Sequence, residues 1–208
     1  MIKDINERIN KEYCDETYMK LSDSNLKNHY MKSKSYINKV KRLEYILDKN
    51  KIDKIVIDKI VEEYSEDLIS PGLKGNIRGQ EFNTIIKNHI LDLKLDDTRY
   101  NIYFEKELPI SDMISEKPDW FIIDNKTNKL IIGMNQLDLW NGGQQTNRAD
   151  KYINFYNDKY KLLCVVCNHI EVKQNKTKIY KIFNKGFINN SICYIKNLEN
   201  IINSYFNK

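Results

Sequence analysis

The sequence predicts a mixed α/β (α+β) layer fold preceded by an N-terminal helical region. Three observations carry this. Residues 1–70 hold only helical patterning. From Ile77 to His169 the elements read as helix, three strands, helix, strand. Within that run, "KLLCVVCNH" is apolar almost throughout, the character of a strand buried on both faces. The boundaries follow as a helical region over residues 1–70 and an α/β core over residues 71–208.

Each element has its own justification. "SYINKVKRLEYILDK" sets Tyr36, Val40, Leu43 and Leu47 on one stripe at helical spacing. "KIDKIVIDKIVEEYSED" predicts a second helix with Asp53 as its N-cap. "ISPGLKGN" interrupts the pattern with Pro71, Gly72 and Gly75 and predicts a hinge. "IRGQEFNTIIKNHILDL" resumes a helix with Phe82, Ile85, Ile86 and Ile90 as its apolar face. "RYNIYFEKEL" alternates with the period of a strand. "DWFIID" and "KLIIGMNQLDL" predict a hairpin across the "NKTN" turn. "GGQQTNRADKYINFY" predicts a helix, "TKIYKIF" and "SICYIK" two further strands. "LENIINSYF" predicts a closing helix with Leu198, Ile201, Ile202 and Tyr205 inward.

Composition narrows the function. The 208 residues are 41% hydrophobic and 30% charged, with a formal net charge of +5. No apolar run approaches the roughly 20 residues of a membrane span. "MIKDINERINKEY" lacks an apolar signal core, which predicts no secretion signal and a cytoplasmic location. The basic balance leans toward an anionic partner, although Lys, Asn and Ile richness also follows from AT-rich coding. The four cysteines, Cys14, Cys164, Cys167 and Cys193, lack a second CxxC, and the expectation is buried reduced thiols. His29, His89 and His169 have no metal-ligand spacing, and no phosphate loop or nucleophile elbow is present. The 14 tyrosines could stack on bases, but they are scattered along the chain, and core packing is the expectation.

The element order, an acid on the first helix (Glu81) and Pro118-Asp119 opening the second strand together resemble the PD-(D/E)xK nuclease superfamily, best known for type II restriction endonucleases. The resemblance covers Ile77 to His169, less than half the chain. "PGLKGNIRGQEFN" also looks like the entry to a restriction-enzyme core. The resemblance implies a restriction-endonuclease-like core, Mg²⁺ as cofactor, double-stranded DNA as substrate, and a homodimer on a short palindrome.

The chemistry stands on its own. Phosphodiester hydrolysis needs a nucleophilic water, charge relief at phosphorus and a stabilised leaving oxygen, all within the reach of a divalent metal. Mg²⁺ takes hard oxygen ligands and keeps several waters. Asp119 and Glu81 are the expected metal-binding carboxylates. The competing readings are a turn acid for Asp119 and an intrahelical pair with Arg78 for Glu81.

On the second strand, "IIGMN" puts Gly133 where the family has an acid and Asn135 where it has lysine. A slip of one residue substitutes Met134 and Gln136. Neither register supplies the acid, and Asp138, Asp150 or Glu81 is the replacement. Asn135 or Gln136 is expected to complete the site, bringing dipoles where lysine brings charge. For Gln136 and Asp138 the competing reading is ordinary polar strand ends.

For DNA contact, the expected residues are Gln144, Gln145, Asn147, Arg148 and Lys151 in "GGQQTNRADK", with Lys74 and Arg78 upstream. A helix N-terminus favours phosphate, Arg and Lys neutralise the backbone, and Gln and Asn match adenine in the major groove. The competing reading is a solvated helix face. The sequence thus predicts a Mg²⁺-dependent DNA endonuclease. The alternatives are a non-catalytic DNA-binding protein on the same fold, a repair or junction-resolving nuclease, and an interaction protein unrelated to nucleic acid.

Overall fold

A computed structural model describes residues 20–108, 117–137, 150, 160–167 and 178–207. Among these are six helices and five strands, an α+β architecture. The chain forms two compact units: one spans Met19–Glu81, and the other includes Phe82–Lys208.

The first unit is helical, as expected. It holds α1 (Asp23–Lys32), α2 (Lys34–Lys49), α3 (Lys54–Glu63) and the start of α4 (Pro71–Asp92). α2 and α3 begin where side chains satisfy free N–H groups. Ser33 accepts from the Tyr36 N–H at 3.2 Å, and Asp53 accepts from the Ile55 N–H at 2.8 Å, confirming the predicted cap. Leu21, Leu26, Tyr30, Tyr36 and Ile57 are buried. Of the predicted α2 stripe, Tyr36 is buried, while Val40, Leu43 and Leu47 are half-buried.

The predicted hinge is a helix. Pro71 opens α4, which continues for 22 residues. Proline at the first helical position loses no hydrogen bond, because that N–H has no intrahelical partner. Ser70 Oγ accepts from the Leu73 N–H at 3.4 Å. Gly72, Gly75 and Gly79 face open space, each a tolerable cost of about 1 kcal/mol relative to alanine. The two units divide inside this helix, after Glu81.

The second unit is built on one sheet. Its strands are β1 (Tyr100–Phe104), β2 (Trp120–Asp124), β3 (Lys129–Gln136), β4 (Tyr160–Val166) and β5 (Ile192–Tyr194), in the spatial order β1-β2-β3-β4-β5. β1, β2 and β3 are mutually antiparallel, whereas β3, β4 and β5 run parallel. The predicted β2–β3 hairpin is present. Its turn closes with Asn128 N–H donating to the Asp124 carbonyl at 2.8 Å. Asn128 takes φ 57°, a left-handed conformation that asparagine tolerates. β4 is the expected apolar strand, buried from Leu162 onward and flanked by β3 and β5.

One face of the sheet presents Phe121, Leu130, Ile132, Met134, Leu162, Cys164 and Val166 to Ile182 and Phe187 of α5 (Lys178–Ile188). The expected strand "TKIYKIF" is therefore helical from Lys178. Its apolar positions Ile179, Ile182, Phe183 and Phe187 recur at intervals of three (179 to 182) and four (179 to 183, 183 to 187), a helical period that the short window concealed. The strand in "SICYIK" is present as β5, and α6 (Ile195–Phe206) follows at once. α6 buries Leu198, Ile202 and Phe206, with Ile201 and Tyr205 half-buried, so its inward stripe is rotated from the expected one. Cys164, Cys167 and Cys193 are buried and outside any disulfide; Cys14 lies outside the described residues. No described helix is long and apolar enough to cross a membrane.

Candidate functional site

Asp119 stands immediately before β2 and extends its ladder on both sides. Its N–H donates to the Gly133 carbonyl at 3.1 Å, and its carbonyl accepts from the Glu105 N–H at 2.9 Å. Pro118 before it is buried. Beyond this point β3 runs on, and the Asp119 carboxylate takes over as partner: Oδ2 accepts from the Asn135 N–H at 2.6 Å. The acid is thus pinned where β2 and β3 part. A carboxylate has about four acceptor positions, and this bond occupies one of them.

Strand pairing decides between the two registers on β3. Trp120 pairs with Gly133, so one step further sets Asp119 opposite Met134. Side chains alternate along a strand. Asp119 therefore shares a face with Phe121, Met134 and Gln136, while Trp120, Gly133 and Asn135 share the other. Of the two expected registers, the one that shares a face with Asp119 is that of Met134, 1% exposed, and Gln136, 7% exposed.

The opposite face explains why position 133 carries no side chain. A Cβ there would lie 1.9 Å from Cε2 of Trp120. The indole fills the space an acid would need, and its Nε1 donates to Asn135 Oδ1 at 3.0 Å. Asn135 Nδ2 in turn donates to Oδ1 of Asn83, on α4, at 3.1 Å. An indole nitrogen can only donate, which fixes the orientation of both carboxamides. The Asn135 side chain is committed to this chain of bonds, and its backbone N–H to Asp119. Neither Trp120 nor Asn83 was singled out from the sequence. The Trp120–Gly133 pair becomes visible only once the hairpin register is known.

A second acid on β2 is structural. Asp124 is fully buried and receives Arg99 in a two-pronged bond, Nε to Oδ1 at 3.1 Å and a terminal nitrogen to Oδ2 at 2.8 Å. The Lys126 N–H and the Thr127 hydroxyl add bonds at 2.9 and 2.8 Å. Arg99 foremost, with these donors, holds the Asp124 carboxyl well below the usual carboxylate range, against the opposing effect of burial. The sequence reading passed over Asp124, because Arg99 is distant in the chain.

The remaining expected residues fall as follows. Glu81 belongs to the helical unit, where its Oε1 lies 3.2 Å from Nδ1 of His29. Lys74 is in the same unit and pairs with Asp23 Oδ2 at 2.7 Å. That lysine holds the Asp23 carboxyl below its ordinary range, and Arg78 adds to the effect. Asp150 is helical and half-buried. Asp138, Gln144, Gln145, Asn147, Arg148 and Lys151 lie outside the described residues. Among the described residues, no group of three His, Cys, Asp or Glu side chains gathers around one point.

The fold and site define an α+β protein with a five-stranded mixed sheet and an acid clamped where two strands separate. No family model, curated protein or solved structure matches the chain.

Proposed function

We propose that the protein is a Mg²⁺-dependent endodeoxyribonuclease that hydrolyses double-stranded DNA, most like a type II restriction enzyme, with Asp119 as its principal acid. The observation that carries this reading is the grip of the Asp119 carboxylate on the Asn135 N–H, at the end of an antiparallel β1–β2–β3 sheet that continues parallel into β4. That arrangement supports the nuclease-like order of elements read from the sequence.

Asp119 offers hard oxygens, the donor type Mg²⁺ selects. The ion, when bound, supplies an activated water and charge relief at phosphorus. Asp119 would hold the cation, and Gln136, on the same strand face, would orient a water through its carboxamide oxygen. Asp138 lies two residues beyond Gln136 in the sequence and is the further carboxylate this reading calls on. A homodimer on a palindromic site and a cytoplasmic location belong to the same proposal.

A second reading is a DNA-binding protein without cleavage. The specific observation in its favour is that Met134 occupies the acid's register position while Trp120 blocks Gly133. Incubation of supercoiled plasmid with Mg²⁺ or with chelator, beside a band-shift assay, separates the two. Nicking or linearisation in Mg²⁺ alone supports the enzyme. A shifted band with intact plasmid in both Mg²⁺ and Mn²⁺ supports the binding protein and overturns the enzyme.

A further inference from the structure

Three residues aligned across the sheet, Phe104, Trp120 and Gly133, mark the end at which Asp119 lies. α4 crosses this end and touches it at two points one helical turn apart. Asn83 meets Asn135, and Lys87 Nζ sits 5.4 Å from the centre of the Phe104 ring. Residues four apart share a helix face, so both side chains leave α4 on the side of the sheet that carries Trp120.

The chemistry left at each point is that of a donor. The Trp120 indole can only donate, so Asn135 must present its oxygen to Trp120 and its nitrogen to Asn83. Asn83 must then present its own oxygen to Asn135. The Asn83 amino group, with two N–H donors, is turned away from this chain of bonds, on a half-buried residue. Lys87 is exposed, and its recorded partner is a ring face rather than a carboxylate. An ammonium over an aromatic ring is attracted by the negative ring face and not by a counter-charge. One neutral double donor and one cation, a helical turn apart at this end of the sheet, suit an anionic oxygen rather than a metal or an apolar group.

We infer that Asn83 and Lys87 form a phosphate-contacting pair, which holds a backbone phosphate of DNA at the end of the sheet where Asp119 lies, on the face that carries Trp120. The inference rests on the reading of the protein as DNA-binding and adds the residues that would seat the strand. The pair supplies a donor and a positive charge from α4, on the face of the sheet opposite the Asp119 side chain.

The test is fluorescence anisotropy with a labelled duplex of about 20 base pairs, in Ca²⁺ so that no cleavage intervenes, over a range of salt concentrations. Asn83→Asp keeps the oxygen that accepts from Asn135 but replaces the amino group by a charged oxygen. Lys87→Gln removes the cation and keeps most of the stem. Lys126→Gln, in the turn at the opposite end of the hairpin, is the control.

Asn83→Asp is expected to weaken binding about tenfold or more, as loss of a hydrogen bond to a charged group implies. Lys87→Gln is expected to lower the slope of log affinity against log salt by about 0.9, one phosphate contact fewer. Lys126→Gln is expected to match the unaltered protein. If the unaltered protein binds duplex and both α4 variants behave like the control, the inference fails while the DNA reading stands. If the unaltered protein binds no duplex, the DNA reading fails and the inference with it. Should Asn83→Asp lower the melting temperature, Lys87→Gln decides alone, since Lys87 touches only a ring face.

Discussion

Replacing Gly133 by alanine adds one methyl group where the structure leaves no room for it. The added carbon would lie 1.9 Å from Cε2 of Trp120 and 2.3 Å from two further ring atoms, against 3.4 Å for an ordinary contact. The ring must therefore retreat by about 1.5 Å, the difference of those distances. Trp120 is 1% exposed, so it has no solvent to retreat into. Overpacking of this kind costs about 1–3 kcal/mol, and the retreat also breaks the 3.0 Å bond to Asn135, worth about 1 kcal/mol. The expected loss is about 3 kcal/mol, which lowers the melting temperature by about 6–12 °C for a chain of this size. Thermal unfolding followed by circular dichroism measures it. A double-mutant cycle with Trp120→Ala isolates the cause. Without the indole, the alanine at position 133 is expected to cost under about 1 kcal/mol, the usual range of a small change without a clash. A Gly133→Ala protein within about 0.5 kcal/mol of the unaltered one would refute the reasoning, because surface changes alone reach that size.

Three further outcomes follow from the same geometry. Asp124→Asn removes the charge that Arg99, Lys126 and Thr127 surround and is expected to destabilise by about 2–4 kcal/mol, read by urea titration. Because the folded-state carboxyl is depressed, its contribution is complete above about pH 4, the ordinary aspartate value, and is lost as pH falls. The unaltered protein is expected to lose stability more steeply than Asp124→Asn below that pH, and parallel curves would count against the pair. Asp53→Ala deletes the α3 cap and is expected to cost about 1 kcal/mol, visible as faster hydrogen exchange at Ile55 and its neighbours; unchanged exchange would show the cap to be idle.

The β2–β3 hairpin was legible because two short apolar runs flank a polar turn of asparagine, lysine and threonine. β4 was legible because seven residues in succession are nearly all apolar. Asp53 was legible because capping is a local affair, settled within two residues. Pro71 misled for the converse reason. Proline breaks a helix interior but opens a helix at its first position, and only the structure shows which applies. Lys178–Ile188 misled because a few alternating residues fit both periods.

The candidate site was legible in part. Asp119 was visible from Pro-Asp before an apolar run. The role of Asn135 was not, since it depends on Trp120 across the hairpin and on Asn83 in a helix far upstream. Long-range pairs of this kind, like Arg99 with Asp124, leave no signature in local spacing. The choice between Asn135 and Gln136 as partner of Asp119 turned on a one-residue register, which reverses every side chain on a strand.

The central claim is that the acid at the parting of β2 and β3 serves DNA hydrolysis. The direct measurement is the rate of plasmid nicking by Asp119→Asn in Mg²⁺, with melting temperature and duplex affinity measured on the same preparation. The asparagine oxygen can still accept from the Asn135 N–H, so fold and binding are expected to persist, while nicking falls by about a thousandfold or more, an activation-energy difference of about 4 kcal/mol. Nicking at the unaltered rate by a well-folded Asp119→Asn protein, or none by the unaltered protein on any DNA, would contradict the account.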